Sequence, residues 1–398
     1  MNKHDDAPNS RRWFIALPAA VVVLLGILWS GFWYWSTMRA EATMAAWRGR
    51  EAAAGRIYGC AATESGGYPF RIEVNCAQPS VDDRDTALSI RASNLSAVAQ
   101  VFDPTLVIGE IAGPLTVAPL GGAPAATMDW SLAQASLRGT PGAPERLSVA
   151  VDNPVLAAAP SGGTLAMAEH MEIHGRFAAE STPGHPVLDL ALDLRNAKAP
   201  AVVSALGRLA PLAAAGADFT AVAALHGVSD HLTLKSLAQQ LRDIQAADGR
   251  LQVTNARLKQ GDLIVVATGV LSLSARGALT GDLRLTVVNV ARLIPLLGLE
   301  RVAVSQETIN RVAPALDRLL PGLGSALRGR DSAPTGSAPS DSAQSGAAAA
   351  ASAAAGAALL GGQPAELEGQ QAVTLTLRFE DGVAYIGPLK IGEVPPLY

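Results

Sequence analysis

A run of residues without a charged side chain, from Trp13 to Trp35, constrains this chain more than any other feature. At about 1.5 Å of rise per residue, a helix of this length crosses the roughly 30 Å hydrocarbon layer of a bilayer. Aromatic residues gather at both ends of the run, where their rings favour the headgroup region. The tryptophans concerned are Trp13, Trp29, Trp33 and Trp35. The sequence therefore predicts a transmembrane anchor over residues 13–35.

Basic residues flank only the short N-terminal side of this anchor, at Lys3, Arg11 and Arg12. The positive-inside rule then predicts a cytoplasmic tail over 1–12 and export of everything that follows the anchor. The pair Arg11-Arg12 also resembles a twin-arginine export signal, and this alternative stays open. No small-x-small cleavage site follows the apolar run, so we expect the anchor to be retained. Strong helix formers continue to Gly55, a helix-ending residue, and predict a helical stalk over 36–56.

The composition excludes two classes of protein. The chain has 398 residues with a net charge of −4, so it lacks the cationic surplus that a nucleic-acid binder needs. Hydrophobic residues make up 49%, which excludes disorder of the whole chain. Aromatic residues make up only 5%, so we expect a core of Leu, Val, Ile and Ala.

Two cysteines, Cys60 and Cys76, are the only ones in the chain, and both follow the anchor. Between them lie a turn signal at Gly67-Tyr68-Pro69 and an alternating strand over Phe70–Val74. We therefore predict a hairpin that a disulfide closes at its base, because an oxidising compartment allows such bonds. Redox or metal roles for the pair remain as alternatives, although no histidine lies nearby.

This order of elements resembles an uncharacterised bacterial envelope family catalogued as domain of unknown function 2125. The residues that carry the resemblance are Ala54-Gly55-Arg56, Cys60, the signature turn Gly67-Tyr68-Pro69-Phe70-Arg71 and Cys76. The resemblance implies a single-pass protein of the bacterial inner membrane with its main body in the periplasm, and it transfers no catalytic residue. For Tyr68 and Phe70 we expect packing roles, with a binding role of the turn as the alternative.

The body predicted over 57–328 consists mainly of short alternating strands between Gly, Pro, Asn and Asp residues. Such spacing predicts an α+β fold, mainly antiparallel β, with an extended, curved sheet and a few amphipathic helices. Predicted strands between the anchor and residue 195 are 88–92, 106–108, 115–117, 128–132, 147–151, 171–174 and 188–194. Predicted helices are 201–214, 232–247 and 307–320.

Residues 250–290 show the clearest sheet pattern, with predicted strands at 251–253, 256–258, 263–266, 270–277 and 279–287. Strands joined through glycine, with Leu-Thr-Gly-Asp-Leu opening the last one, resemble the C-terminal meanders of AsmA-like envelope proteins. The resemblance implies a curved sheet that accommodates lipid. Residues 329–366 are rich in Ala, Ser, Gly and Pro and predict a disordered linker. Residues 367–398 predict a hairpin around Asp381-Gly382 that returns to complete the main sheet.

The sequence shows no catalytic motif and indicates no cofactor. The most suggestive polar cluster is Glu169, His170, Glu172 and His174, because a strand places the last three on one face. A solvated polar face explains this pattern, and a zinc site is the alternative.

We therefore expect a protein that is not an enzyme. Its predicted partners are the lipid bilayer, lipid acyl chains and other envelope proteins, and nucleic acid is excluded. A scaffold that acts through protein contacts is the alternative function.

Overall fold

The N-terminal helix is the longest element of the computed structural model, which describes residues 10–140, 143–178, 181, 186–202, 215–228, 237–292 and 361–398. Helix α1 spans Ser10–Ala53 without a break, so the predicted anchor and stalk form one helix. It ends where Gly55 adopts a φ of 86°, a backbone conformation that favours glycine. The predicted stalk extends three residues beyond the helix, since α1 ends at Ala53 and Arg56 already belongs to the first strand.

All strands of the described residues lie in two antiparallel sheets, the small sheet of seven strands and the large sheet of 16. The small sheet consists of β1 (Arg56–Gly59), β4 (Ser80–Asp83), β5 (Leu88–Arg91), β8 (Leu115–Pro119), β9 (Ala126–Asp129), β12 (Val155–Ala158) and β13 (Thr164–Met167). The first half of the large sheet consists of β2 (Ala62–Gly66), β3 (Arg71–Ala77), β6 (Asn94–Gln100), β7 (Asp103–Ala112), β10 (Leu132–Thr140), β11 (Ala143–Asp152) and β14 (His170–Phe177). The second half consists of β15 (Val187–Ala197), β16 (Ala217–His226), β17 (Arg250–Gln260), β18 (Leu263–Leu273), β19 (Leu279–Val288), β20 (Gln363–Leu367), β21 (Gln370–Glu380), β22 (Val383–Ile386) and β23 (Leu389–Glu393).

Up to β14, the chain passes back and forth between the two sheets at two-residue breaks, for example at Gln78-Pro79 between β3 and β4. Backbone hydrogen bonds between neighbouring breaks continue the ladder, as from Gln78 N to Ser93 O at 3.0 Å. The predicted strand over 128–132 is wrong for this reason, because it crosses the break at Trp130-Ser131. Each pair of short strands is therefore one long strand that bends once.

After β15 only the large sheet continues, and the predicted meander is confirmed there with fewer turns than expected. The predicted strands 251–253 and 256–258 are one strand, β17, with a bulge between Val253 and Ala256. The predicted strands 263–266 and 270–277 are likewise one strand, β18, which runs through Gly269. A helix, α2 (Leu237–Ala246), lies within the predicted helix 232–247. Residues 203–214 and 307–320 lie outside the described residues.

The C-terminal hairpin returns to the large sheet, as predicted, because β21 pairs with β19 along eight residue pairs from Gly281–Phe379 to Val288–Ala372. The predicted linker is wrong at its end, since Gln363–Leu367 forms β20 against β21, while 329–360 lies outside the described residues. The most buried residues, Leu263 and Val287, lie near this return and pack with Leu375 and Ile386. The densest packing is thus at the β18–β22 end of the sheet.

Candidate functional site

One face of the large sheet is apolar from strand to strand, because the register places like residues opposite each other. Met171 pairs with Leu194 and Ile173 with Leu192 between β14 and β15, and Leu190 pairs with Ala223 between β15 and β16. We call this surface the apolar face. Its central positions are Leu147, Val149, Val151, Met171, Ile173, Phe177, Leu188, Leu190, Leu192, Leu194, Phe219, Ala221, Ala223, Leu225, Leu251, Val253, Ala256 and Leu258.

The apolar face continues to both ends of the sheet. Towards the first strands it includes Ile72, Val74, Leu95, Ala97, Val107, Ile111, Ala135 and Leu137. Towards the last strands it includes Val265, Leu271, Leu283, Leu285, Val373, Leu377 and Ile386. From β3 to β22 the path has thirteen strands, so their 12 intervals of about 4.8 Å extend the face over about 58 Å.

The opposite surface, the polar face, carries charged side chains at alternate positions. Glu172 pairs with Asp193, and Asp218 with Lys259. Ion pairs run along it, as between Arg176 Nε and Asp189 Oδ2 at 3.1 Å. The sheet is therefore amphipathic in its central strands, where water solvates one side. Towards the last strands the same side is apolar, because Ile264, Val288 and Ala372 form a buried cluster there.

Most of the apolar face is only half-buried, which is unusual for so many aliphatic side chains. Leu147 is 46% exposed and Ile173 is 43% exposed, although both lie in central strands. The path of strands in the large sheet is linear, from β2 at one edge to β23 at the other. Within the described residues, the large sheet is thus an open surface rather than a closed barrel.

The predicted signature turn packs on the membrane helix. Trp29 Nε1 donates to the carbonyl of Pro69 at 2.8 Å, and Trp33 Nε1 donates to the carbonyl of Arg71 at 2.9 Å. Ser30 Oγ and the hydroxyl of Tyr68 share a hydrogen bond of 2.8 Å. Two of the predicted membrane tryptophans therefore hold the turn, and this contact was not expected from the sequence.

Ring contacts add to this attachment. Trp33 meets Tyr68 edge-on at a centroid distance of 5.4 Å, and Trp29 meets Phe70 at 6.0 Å. An open apolar recess of about 580 Å³ lies beside them, lined by Leu25, Gly26, Leu28, Trp29, Phe32, Tyr68, Pro69 and Phe70. Trp35 stacks on Phe32 and lies outside the recess, and Trp13 lies in the first turns of α1.

The base of the β2–β3 hairpin carries the predicted disulfide. Cys60 and Cys76 are bonded, with their Cα atoms 5.4 Å apart, and Cys76 is buried. At the other end, Gly67 has a φ of 97°, and a Cβ there would lie 2.6 Å from the carbonyl oxygen of Arg71. Only glycine fits this tight turn, so both ends of the hairpin are fixed.

The histidine cluster lies on the polar face, as the alternation predicted. His170 Nδ1 contacts Asp152 Oδ1 at 2.6 Å, and His170 Nε2 contacts Glu172 Oε1 at 2.9 Å. His174 Nε2 contacts the other oxygen of Glu172 at 3.1 Å. The hydrogen bond with Glu172, and next that with Asp152, raises the pKa of His170, while His170 and His174 lower the pKa of Glu172.

These contacts describe a chain of ion pairs rather than a set of converging ligands. Both ring nitrogens of His170 already face carboxylates, so a metal ion would have to displace one of them. In the described part of the chain, no group of three or more His, Cys, Asp and Glu residues has the geometry of a metal site.

A family model described as an uncharacterized protein conserved in bacteria (DUF2125) matches residues 33–395. The match begins inside α1 and covers both sheets. No curated protein and no solved structure matches the chain. The resemblance of residues 250–290 to AsmA-like proteins stays a prediction.

Proposed function

The chain belongs to the bacterial DUF2125 family, and from that premise we propose that it is a membrane-anchored envelope protein whose apolar face binds lipid acyl chains. The single observation that carries the proposal is the apolar face of about 58 Å across thirteen strands, which is half-buried at most of its central positions and becomes a buried cluster only towards its last strands. Exposed apolar patches of this size mark binding surfaces for other apolar matter, because leaving them in water is costly.

Acyl chains suit this surface better than a polar substrate does. The face offers aliphatic side chains with few aromatic rings and, at its paired central positions, no hydrogen-bonding side chain. Its width is about four times the half-thickness of a bilayer's hydrocarbon layer, about 15 Å. Several chains therefore fit side by side, and the protein acts by binding or transferring lipid rather than by catalysis.

The location follows from the anchor. One helix of the described chain is long and apolar enough to span a membrane. With Lys3, Arg11 and Arg12 on the cytoplasmic side, both sheets lie in the periplasm of a bacterial envelope. The disulfide between Cys60 and Cys76 supports this side, because oxidising compartments preserve such bonds.

Photocrosslinking in cells tests the proposal. Four full-length variants each carry one photoreactive residue. Two have it on the apolar face, at Leu147 or Ile173, and two have it on the polar face, at Ile108 or Val222. All four positions are between 43% and 51% exposed, so access to solvent is matched. We expect lipid adducts in the mass spectrum of the first two variants only. Equal adducts on both faces, or none, would overturn the proposal.

A second candidate, a scaffold for other envelope proteins, is favoured by the last strand. Among the described residues β23 pairs only with β22, so its other edge offers free backbone groups to a partner strand. Photoreactive residues at Ile391, which is exposed, would then yield one defined protein adduct in place of lipid.

A further inference from the structure

We propose that the signature turn and the neighbouring β6–β7 loop insert into the membrane leaflet on the side of the sheets, where an acyl chain of a phospholipid occupies the recess on α1. This inference deepens the proposed function, because it names the place at which lipid would reach the apolar face. It rests on four observations: the depth of the contacts, the pairing of the turn's backbone, the exposed rings, and the lining of the recess.

The contacts with α1 determine how deep the signature turn lies in the bilayer. Leu24 is the middle residue of the uncharged run from Trp13 to Trp35. At about 1.5 Å per residue, Trp29 lies about 7 Å and Trp33 about 13 Å beyond the bilayer midplane. One leaflet's hydrocarbon is about 15 Å thick. Because Trp29 and Trp33 bond the carbonyls of Pro69 and Arg71, the turn lies within the hydrocarbon and near its boundary.

The cost of moving a turn into hydrocarbon falls as more of its backbone groups are paired, since no water is available there. Four carbonyls of the turn accept hydrogen bonds, those of Gly67, Pro69, Phe70 and Arg71. Gly67 accepts from Arg71 N and Phe70 from Val101 N, each at 3.1 Å, and the other two accept from the tryptophans. Pro69 has no N–H to satisfy. Four of the five carbonyls from Gly67 to Arg71 therefore have partners within the protein, which lowers the cost of moving the turn into hydrocarbon.

Large rings at this end of the sheet are exposed over more than half of their surface. Phe70 is 62% exposed and Tyr68 is 58% exposed. Phe102, in the loop between β6 and β7, is 67% exposed, and its neighbour Val101 is buried against the turn. Three exposed rings at adjacent hairpin ends are costly in water and favourable at a membrane.

The lining of the recess is apolar and therefore suits an acyl chain. Leu25, Leu28 and Phe32 come from the membrane-spanning helix, so lipid surrounds them in the membrane. The polar atoms beside the recess, Trp29 Nε1 and the Tyr68 hydroxyl, already bond to the protein. Arg71 follows the lining residue Phe70, pairs with Glu73 at 2.6 Å and has a side chain that is 61% exposed, so its guanidinium can reach the level of the lipid phosphates.

Photocrosslinking of the purified full chain in phosphatidylglycerol and phosphatidylethanolamine nanodiscs tests the inference. A photoreactive phenylalanine derivative replaces Phe70 or Phe102, and Leu120 is the control. Leu120 is 44% exposed, and it follows β8 of the small sheet, away from the turn. We expect at least about fivefold more lipid adduct at the first two positions. Yields no higher than that of Leu120, in variants with an unchanged circular dichroism spectrum, overturn the inference.

A fourth variant with the same probe at Ile173 separates this inference from the proposed function. Adducts at Phe70 and Phe102 without any at Ile173 support insertion of the turn and contradict lipid binding by the sheet. Adducts at Ile173 alone overturn insertion of the turn and leave the apolar face as the lipid-binding surface.

Discussion

At the scale of single residues, His170 makes the stability of the sheet depend on pH. Its raised pKa means that the folded state holds the proton more tightly than the unfolded chain does, where the pKa is about 6.5. The contribution is therefore complete below about pH 6.5 and disappears as the pH rises through the folded-state pKa. Glu172 and Asp152 favour the protonated form of His170. Arg195 lies opposite His170 on β15, and its positive charge acts against that protonated form.

We expect His170→Gln to lower the melting temperature of the full chain in detergent more at pH 5.5 than at pH 8.5, by about 1–3 °C. Circular dichroism of the sheet measures this difference. Arg176→Gln is the control, because it breaks an ion pair on the same strand with a guanidinium that stays charged at both pH values. An equal loss for His170→Gln at both pH values would contradict the account.

We expect replacement of Gly269 by alanine to disrupt the pairing of β18 with β19 and so to destabilise the large sheet. The φ of Gly269 is 154°, and a Cβ would lie 2.1 Å from the carbonyl oxygen of Asp282 on the neighbouring strand. We expect Gly269→Ala to lower the free energy of unfolding by about 1–3 kcal/mol or more. Gly392→Ala is the control, since nothing lies within 4 Å of its Cβ position. Equal denaturation midpoints for the two variants would refute this role.

At the scale of elements, the disulfide holds the first hairpin of the large sheet together. Cys60 and Cys76 are 16 residues apart, and closing such a loop stabilises a fold by about 3 kcal/mol in the chain-entropy model. Replacing both by alanine should lower the free energy of unfolding by about that amount and loosen the contact of Tyr68 with Ser30. Chemical denaturation measures the loss of free energy, and hydrogen exchange of the β2–β3 backbone measures the loosening of the hairpin. Unchanged exchange in the double variant would show that the helix contacts alone fix this hairpin.

Elements defined by local patterns were predictable, and those defined by distant contacts were not. The uncharged run, the stalk and the Asp381-Gly382 hairpin follow from neighbouring residues. Asn255 and Gly269 resemble turn residues, yet one lies at a bulge and the other inside a strand, so hairpins were overcounted. The contact of Trp29 with Pro69 joins residues 40 positions apart, and no local signal indicates it.

At the scale of the whole molecule, the apolar face depends on strand register, which the sequence does not show directly. The bulge in β17 is an example, because it adds one residue between Val253 and Ala256 and so keeps both on the same face. The sequence predicted apolar alternation within each strand. That the alternation stays in phase over thirteen strands is a property of the assembled sheet.

If lipid occupies the apolar face, the number of bound lipids must fall when charges are placed on that face and not when they are placed on the other. Two double variants place the same charges on opposite faces at similar exposure. Leu147→Glu with Ile173→Glu changes the apolar face, and Ile108→Glu with Val222→Glu changes the polar face. An unpaired carboxylate against an acyl chain costs more than an uncharged polar group, for which about 1–3 kcal/mol is typical, so each substitution should lower the affinity by at least about fivefold. Quantitative lipid mass spectrometry of the purified full chain should therefore show a large loss for the apolar-face pair alone. Equal lipid content in both variants would contradict the account.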